Sequence, residues 1–229
     1  MPKVIYKDLK IISYKKAWDY QKEIQQTIIK NKRESSQEPV NRLLFCEHKP
    51  VYTIGKSGKM DHLVFNEKQL LEAGIEFYKT NRGGDITYHG PGQITGYPIF
   101  DLDQFYHDVH RYVRDLEQVV INVLTHFGLK GERLEGFTGV WLLGTSFLPI
   151  HRKICAIGVH MSRWVTLHGL ALNVNTDLNH FQGIIPCGIK EDNKMVTSLN
   201  AELESDILID DVKKLMKKEF QTVFGIEYL

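Results

Sequence analysis

The chain has 229 residues, of which 42% are hydrophobic and 25% are charged, a composition typical of a globular protein that buries a core. This excludes a disordered tail, a collagen-like fibre and a small disulfide-stapled scaffold. The 29 Lys and Arg residues nearly balance the 28 Asp and Glu residues, which argues against a nucleic-acid binder that acts through bulk positive charge. No stretch approaches the roughly 20 apolar residues of a membrane-spanning helix, so we expect no membrane association.

The three cysteines, Cys46, Cys155 and Cys187, form no CxxC pair. A sparse and odd number of cysteines is typical of a reducing compartment. The first residues also lack the apolar segment of a secretory signal. These features predict a cytoplasmic protein.

The N-terminal segment predicts a strand, a helix and then a polar loop over residues 31–39. The helix is indicated by apolar residues at spacings of three and four, namely Ala17, Tyr20, Ile24 and Ile28. Seven runs rich in Val, Ile, Thr and Tyr then predict strands, at residues 42–46, 51–54, 75–79, 93–100, 140–143, 153–159 and 165–174.

Two further amphipathic helices are predicted. One runs from residue 105 to residue 127, with Gly128 as its stop. The other begins at about Asp210 and buries Val212, Leu215, Met216 and Phe220. Because the strands and helices do not alternate regularly, we predict an α+β fold with a mostly mixed or antiparallel sheet, as a single domain over residues 1–229.

Glycines are densest in one segment, with five of them at positions 83, 84, 90, 92 and 96. The pattern is neither GxGxxG nor a P-loop, so it does not indicate a phosphate cradle. The same segment carries groups that can form hydrogen bonds, which is typical of a binding loop: Arg82, Thr87, Tyr88, His89 and Gln93. A simpler interpretation is a pair of tight turns between strands.

This segment, Arg82-Gly-Gly-Asp-Ile-Thr-Tyr-His-Gly-Pro-Gly-Gln-Ile-Thr-Gly-Tyr97, resembles the signature of the lipoyl(octanoyl) transferases. The resemblance spans roughly residues 42–200 through further motifs in the same order. These are Glu47-His-Lys-Pro-Val-Tyr-Thr-Ile-Gly55, Gly139-Val-Trp141, Arg152-Lys-Ile-Cys-Ala-Ile-Gly-Val159, residues 162–178, Pro186-Cys-Gly-Ile189 and Val196-Thr-Ser-Leu199. It implies the catalytic fold of the lipoate and biotin protein ligases.

The resemblance also implies a reaction, the transfer of octanoyl from octanoyl-acyl carrier protein to a lysine of a lipoyl domain, the first step of endogenous lipoate biosynthesis. Cys187 would accept the acyl group as a thioester, and Lys153 would be its partner. A nearby ammonium favours the thiolate, which is the nucleophilic form of cysteine. By composition alone, a lone cysteine is more often a small buried apolar residue.

By the same resemblance, fourteen residues would hold the octanoyl chain: Arg82, Gly83, Gly84, Asp85, Ile86, Thr87, Tyr88, His89, Ala156, Ile157, Gly158, Gly169, Leu170 and Ala171. Their glycines and alanines leave room for a narrow slot, which the branched side chains would line. His89 and His168 either orient the substrate or are satisfied by backbone carbonyls.

The implied partners are octanoyl-acyl carrier protein, the lipoyl domains of 2-oxoacid dehydrogenase complexes and the glycine cleavage H protein. Neither ATP nor a metal is expected, because the donor thioester is already activated, and the protein is expected to be a monomer. Two alternatives stay open at this point. One is an ATP-using lipoate or biotin protein ligase, and the other is a non-catalytic module that binds acyl chains or a carrier protein.

Several residues outside these motifs have competing interpretations. We expect Cys46 to lie in the core, and Cys155 to share a strand face with Lys153 because strand side chains alternate. His107 and His110, three residues apart, are interpreted as solvated groups, and no motif indicates zinc. Trp141 and Trp164 are expected to anchor packing. A basic docking patch and ordinary solvated charge are equally compatible with Lys56, Lys59, Arg82, Arg152 and Arg163.

Overall fold

The computed structural model describes residues 1–34, 40–186 and 193–229. Its strands are β1 (Lys3–Ile12), β2 (Asn41–His48), β3 (Val51–Ile54), β4 (Glu76–Lys79), β5 (Ile86–His89), β6 (Gln93–Ile99), β7 (Glu132–Leu134), β8 (Phe137–Leu142), β9 (His151–Ser162), β10 (Val165–Asn173), β11 (Lys194–Val196) and β12 (Glu227–Tyr228). Its α-helices are α1 (Tyr14–Glu34), α2 (Glu67–Glu72), α3 (Val109–Thr125), α4 (Leu199–Leu203) and α5 (Ile209–Phe224).

The described strands form a large and a small sheet. The order of the large sheet is β12-β1-β2-β6-β10-β9-β8-β7, and β11 pairs with β9 beside it. Strand β1 is parallel to both of its neighbours and β11 is parallel to β9, whereas the other pairs are antiparallel. The small sheet has the order β4-β3-β5. The predicted α+β fold with a mixed sheet is therefore confirmed.

Helices cover both faces of the large sheet. Side chains alternate along β2, so that Leu44 packs with Ala17 and Ile28 of α1, whereas Phe45 faces the cluster formed with α3 and α5. Cys46 is fully buried on the α1 face, as predicted for a core residue. In the described part of the chain, no helix is long and apolar enough to cross a membrane.

The second predicted helix begins later than its apolar pattern suggests. Asp108 caps α3, because its side chain accepts a hydrogen bond from the backbone N–H of Arg111. Phe105 lies before the helix and stacks on Phe100. His107 therefore does not share a helical face with His110, and it instead stacks on Trp164, with 4.7 Å between the ring centroids.

Neither sequence interpretation of the glycine-rich segment, a binding loop or a pair of tight turns, included a strand. The segment contains strand β5, which pairs with β3 in the small sheet, and glycines lie at both ends of this strand. The short strands β7, β11 and β12 were not predicted. They have two or three residues each, too few for a pattern of alternation to be recognised.

A buried carboxylate ties α3 to the strands beside it. Glu117 is fully buried and accepts hydrogen bonds from the backbone N–H of Gly139 (3.0 Å) and from Nε of Arg133 (2.9 Å). Nη1 of Arg114 lies 3.0 Å from the same carboxylate. Burial of this charge is tolerated because these donors satisfy it.

We predict that Glu117→Gln lowers the free energy of unfolding by about 1–3 kcal/mol, because the amide has one acceptor oxygen where the carboxylate has two, and one donor at this buried site then loses its partner. The matched control is Glu72→Gln, which removes an exposed pair with Lys68 and should cost less than about 1 kcal/mol. Urea denaturation of both variants measures the difference. Equal losses would show that the buried carboxylate does not stabilise this corner of the fold.

Candidate active site

A cavity of about 340 Å³ lies where the large sheet meets the small sheet. Its walls come from β5, β6, β9 and β10, together with the turn before β5 and the residues around the start of β8. This volume lies within the range of about 300–1,000 Å³ that is usual for small-molecule sites. The cavity is therefore the place to look for the predicted site residues.

The two sheets approach each other at a contact that lacks side chains. The backbone N–H of Gly83 donates to the carbonyl of Val159 on β9 (2.8 Å). A Cβ at the neighbouring Gly158 would lie 2.8 Å from the carbonyl oxygen of Gly83, closer than a Cβ can come to backbone. Glycine at position 158 thus permits the contact that closes one side of the cavity.

Arg82 contributes a buried cation to the cavity wall. Its Nη2 donates to the carbonyl oxygen of Thr53 (2.6 Å) and to Oγ1 of the same residue (3.0 Å), and its Nη1 donates to the carbonyl oxygen of Gly83 (2.9 Å). Its side chain is directed into the fold and not toward a partner. Neither interpretation left open for Arg82, a docking patch or ordinary solvated charge, fits this buried side chain.

Lys153 lines the cavity, and its backbone is held on both edges of β9. It pairs with Trp141 of β8 on one side and with Val196 of β11 on the other. Its carbonyl also accepts a hydrogen bond from the backbone N–H of Thr197 (2.9 Å). Its Nζ lies 5.1 Å from the centre of the Trp141 ring. Two neighbouring strands thus fix the backbone from which the Lys153 side chain reaches the cavity.

Gly139 makes room for that lysine. Its φ of +119° is one that L side chains rarely adopt, and a Cβ there would lie 2.9 Å from Cε of Lys153. The backbone N–H of Gly139 donates the hydrogen bond that Glu117 accepts. The buried carboxylate therefore also fixes the backbone against which Lys153 packs.

Cys187, the predicted acyl acceptor, lies outside the described residues, but the chain leading toward it is anchored. The backbone N–H of Ile185 donates to the carbonyl of His62 (2.8 Å), and the carbonyl of Gly183 accepts from Val64 (2.9 Å). Pro186 then lines the cavity. The chain is thus tied to the cavity wall up to the residue before Cys187.

Cys155 does not share a face with Lys153, so that prediction is wrong. Val140 pairs with Cys155 and Trp141 with Lys153, and the register therefore shifts between the two pairs. Such an irregularity breaks the alternation of side chains. Cys155 is fully buried in the core, and burial raises the pKa of its thiol to about 12, so it is protonated and inert.

Both histidines singled out from the sequence are buried and line the cavity. Nδ1 of His89 lies 2.8 Å from Oε1 of Gln93, and Nε2 of His168 lies 2.8 Å from Oδ1 of Asn81. Side-chain amides, and not backbone carbonyls, are their partners. Burial lowers the pKa of His168 to about 3 and holds the pKa of His89 well below its usual value, so both rings are neutral.

The structure brings almost all of the predicted acyl-binding residues together on one cavity. The exception is Tyr88, whose ring packs against Tyr52 (5.8 Å between centroids) and Phe181 (5.5 Å) in the core of the small sheet. The residues on the wall are Arg82, Gly83, Gly84, Asp85, Ile86, Thr87, His89, Ala156, Ile157, Gly158, Gly169, Leu170 and Ala171. That they bind an acyl chain stays a prediction.

Some lining residues were missed because their signal is not local. Thr95, Val159, Asn173 and Val196 belong to strands, and only the pairing of those strands brings them to the cavity. Asn173 is the clearest case, since its side chain bonds Gln93 (2.9 Å) and the carbonyl of Thr197 (2.9 Å), which are distant in sequence.

Two other surface predictions need correction. Arg152 forms a bidentate pair with Glu202, with distances of 2.7 and 3.2 Å, so it is not part of a docking patch. Trp141 is a buried anchor as predicted, whereas Trp164 is 36% exposed. In the described ranges, no group of three His, Cys, Asp or Glu residues could hold a metal ion.

Comparison with known proteins connects this geometry to a family. A family model described as the lipoyl protein ligase A/B catalytic domain matches residues 13–221. An octanoyltransferase of Christiangramia forsetii is 54% identical over 228 residues, covering 96% of this chain and 95% of that protein. An octanoyltransferase of Cytophaga hutchinsonii is 47% identical, covering 97% and 93% of the two chains.

Solved structures show the same fold at low sequence identity. A bipartite lipoate protein ligase from Thermoplasma acidophilum is 17% identical, with a TM-score of 0.70 over all of this chain and 85% of that one. Biotin protein ligase from Aquifex aeolicus is 12% identical, with a TM-score of 0.53 over 98% and 71% of the two chains. The fold and the family matches agree, and the chain belongs to the octanoyltransferases of the lipoyl protein ligase A/B catalytic-domain family, which are acyltransferases.

Proposed function

We propose that this protein moves an octanoyl group from octanoyl-acyl carrier protein to the acceptor lysine of a lipoyl domain, through a thioester on Cys187. One observation carries the proposal. Lys153 lines the cavity, and so do Pro186, one residue before position 187, and Val196, nine residues after it. Lys153 and the residue that precedes Cys187 therefore lie on the same cavity.

Strand β11 is short and follows soon after position 187 in the sequence. It begins at Lys194, and its Val196 pairs with Lys153 itself. The described chain thus lines the cavity at Pro186, one residue before Cys187, and pairs with the strand that carries the lysine from Lys194, seven residues after it. This proximity in the chain supports a pairing of the Cys187 thiol with the Lys153 amine.

In the first half-reaction, the thiol of Cys187 gives its proton to the neutral amine of Lys153, and the thiolate attacks the carbonyl carbon of the donor thioester. A new C–S bond forms, and the bond to the phosphopantetheine sulfur breaks. That sulfur leaves as a thiolate and takes the proton from Lys153. One thioester replaces another, so no external energy source is required.

In the second half-reaction, the acceptor lysine attacks the acyl-enzyme as a neutral amine. An amide C–N bond forms, the bond to Cys187 breaks, and Lys153 receives the proton that the attacking nitrogen loses. The proton then returns to the Cys187 thiolate. Conversion of a thioester to an amide is downhill, which is why neither ATP nor a metal enters the proposed cycle.

The cavity suits a saturated chain along most of its length. Small residues on β9 and β10 leave the space, with Ala156 paired with Ala171 and Gly158 paired with Gly169. Apolar side chains that lie in the same wall would bury the methylene groups, namely Ile86, Ile157 and Leu170. We propose that the octanoyl chain lies between them.

The proposed acceptors are the lipoyl domains of 2-oxoacid dehydrogenase complexes and the glycine cleavage H protein, and the proposed setting is a cytoplasmic monomer. Lys56, Lys59 and Arg163 are exposed and can attract an acidic carrier protein. That encounter would weaken as salt is added.

The first prediction concerns the covalent intermediate. Mixing the protein with octanoyl-acyl carrier protein, without an acceptor, should place one octanoyl group on the peptide that contains Cys187, as measured by mass spectrometry. Cys187→Ser should form no thioester and lose at least about 1,000-fold in transfer rate, because the nucleophile is gone. Cys155→Ala is the matched control and should still be acylated, since its thiol is buried. An unacylated Cys187, or a fully active Cys187→Ser variant, would contradict the proposal.

The second prediction separates charge from proton transfer at Lys153. Lys153→Arg keeps a cation beside the thiol, but a guanidinium cannot be deprotonated at neutral pH. Its kcat should therefore fall by roughly 100-fold or more, the usual contribution of a positioned acid or base. Steady-state kinetics against pH test this. A Lys153→Arg variant with wild-type kcat would show that Lys153 moves no proton.

The third prediction distinguishes transfer from ligation, because lipoate ligases share this fold. A lipoate-protein ligase A bound with ATP is 18% identical and superposes with a TM-score of 0.70, over all of this chain and 87% of that one. Free octanoate with ATP and a lipoyl domain should give no octanoylated domain here, whereas octanoyl-acyl carrier protein without ATP should. The reverse pattern would identify a ligase.

A further inference from the structure

Two buried polar atoms in the cavity lack a hydrogen-bond partner among the described residues. They are Oγ1 of Thr95 and Nδ1 of His168, and each residue is 2% exposed. Other buried atoms without a described partner belong to Trp18, Gln21 and Trp141, which do not line the cavity. Unpaired polar atoms are costly to bury, so Thr95 and His168 indicate a polar occupant beside them.

The imidazole of His168 is held in one orientation. Its Nε2–H donates to Oδ1 of Asn81, so the neutral ring presents a lone pair at Nδ1. Its backbone N–H donates to Oε1 of Gln21 (3.1 Å). The φ of His168 is +63°, a strained conformation that persists where the surroundings impose it.

Thr95 and His168 lie progressively farther from Lys153 along the cavity. Thr95 is paired with Ala171, which is paired with Ala156, whereas His168 is paired with Val159. At about 3.3 Å per residue, Val159 is roughly 20 Å along β9 from Lys153. An acyl chain whose carbonyl is at the lysine therefore extends toward Thr95 first and His168 beyond it.

The polar groups at the lysine end are satisfied by one another. Nε2 of Gln93 donates to Oδ1 of Asn173 (2.9 Å), and Nδ2 of Asn173 donates to the carbonyl of Thr197 (2.9 Å). Among the described residues of the wall, the buried side-chain atoms that lack a partner belong to Thr95 and His168. A saturated acyl chain has no donor or acceptor to offer them.

We propose that Thr95 and His168 hold hydrogen-bonded water at the inner end of the acyl cavity, and that this water limits the length of the acyl chain. The inference rests on the proposed placement of the octanoyl chain in this cavity. A chain longer than octanoyl must first displace the water on Thr95 and leave its hydroxyl group buried without a partner. Selectivity of this kind, based on unpaired polar groups, is stronger than a hydrophobic wall provides.

The test is an isosteric pair at Thr95. Thr95→Val removes the hydroxyl at nearly constant volume, and Thr95→Ser keeps the hydroxyl and removes a methyl group. We measure kcat/KM with octanoyl- and decanoyl-acyl carrier protein. The decanoyl-to-octanoyl ratio should rise roughly tenfold in Thr95→Val, because one polar group no longer has to lose its partner, and it should change less than about twofold in Thr95→Ser.

An unchanged or lower ratio in a folded Thr95→Val variant would overturn the inference, and so would an equal rise in both variants, which would indicate volume alone. If Thr95→Val does not fold, a crystal structure of the wild-type protein with a bound octanoyl chain decides. Water on Thr95 Oγ1 or His168 Nδ1 supports the inference, and chain carbons against both atoms refute it. The proposed function fails separately, if the wild-type protein forms no acyl-enzyme.

Discussion

The position of the Lys153 ammonium group is the constraint on which the proposed chemistry depends. Strands β8 and β11 hold the backbone of this residue from both sides, and Gly139 leaves the space that its side chain occupies. Strand β11, which follows the segment that contains Cys187 in the sequence, pairs with β9 at Lys153. The proposed proton transfer requires the Cys187 thiol to lie beside the amine of this lysine.

The acyl cavity depends on a second constraint, the close approach of the two sheets at Gly83 and Gly158. Side chains at that contact would push the glycine-rich segment away from β9 and open the cavity to solvent. The same approach brings Arg82 next to β3, where its guanidinium group donates hydrogen bonds to the carbonyl oxygen and Oγ1 of Thr53. Glycines in this family motif therefore permit the close packing of the two sheets.

Sequence reasoning predicted what depends on local pattern. Helices α1 and α5, strand β1, the seven strands predicted after it and the mixed sheet follow from spacing and turn residues, whereas β5 was not predicted; the motif resemblance pointed to thirteen residues that line one cavity. It was wrong where long-range pairing decides. Cys155 is turned into the core by a register shift against β8, and Arg152 is held by Glu202, fifty positions later. Thr95 was missed because a single threonine in a strand carries no signal.

The ionisation of Cys187 beside Lys153 is the central claim, and the pH dependence of its alkylation tests it most directly. Iodoacetamide labelling of the Cys187 peptide, followed over time by mass spectrometry, gives the pKa of the thiol. In the wild-type protein this pKa should lie below the value of about 8.5 for an ordinary cysteine, and in Lys153→Met it should rise by about one unit or more. The same pKa in both proteins would contradict the account.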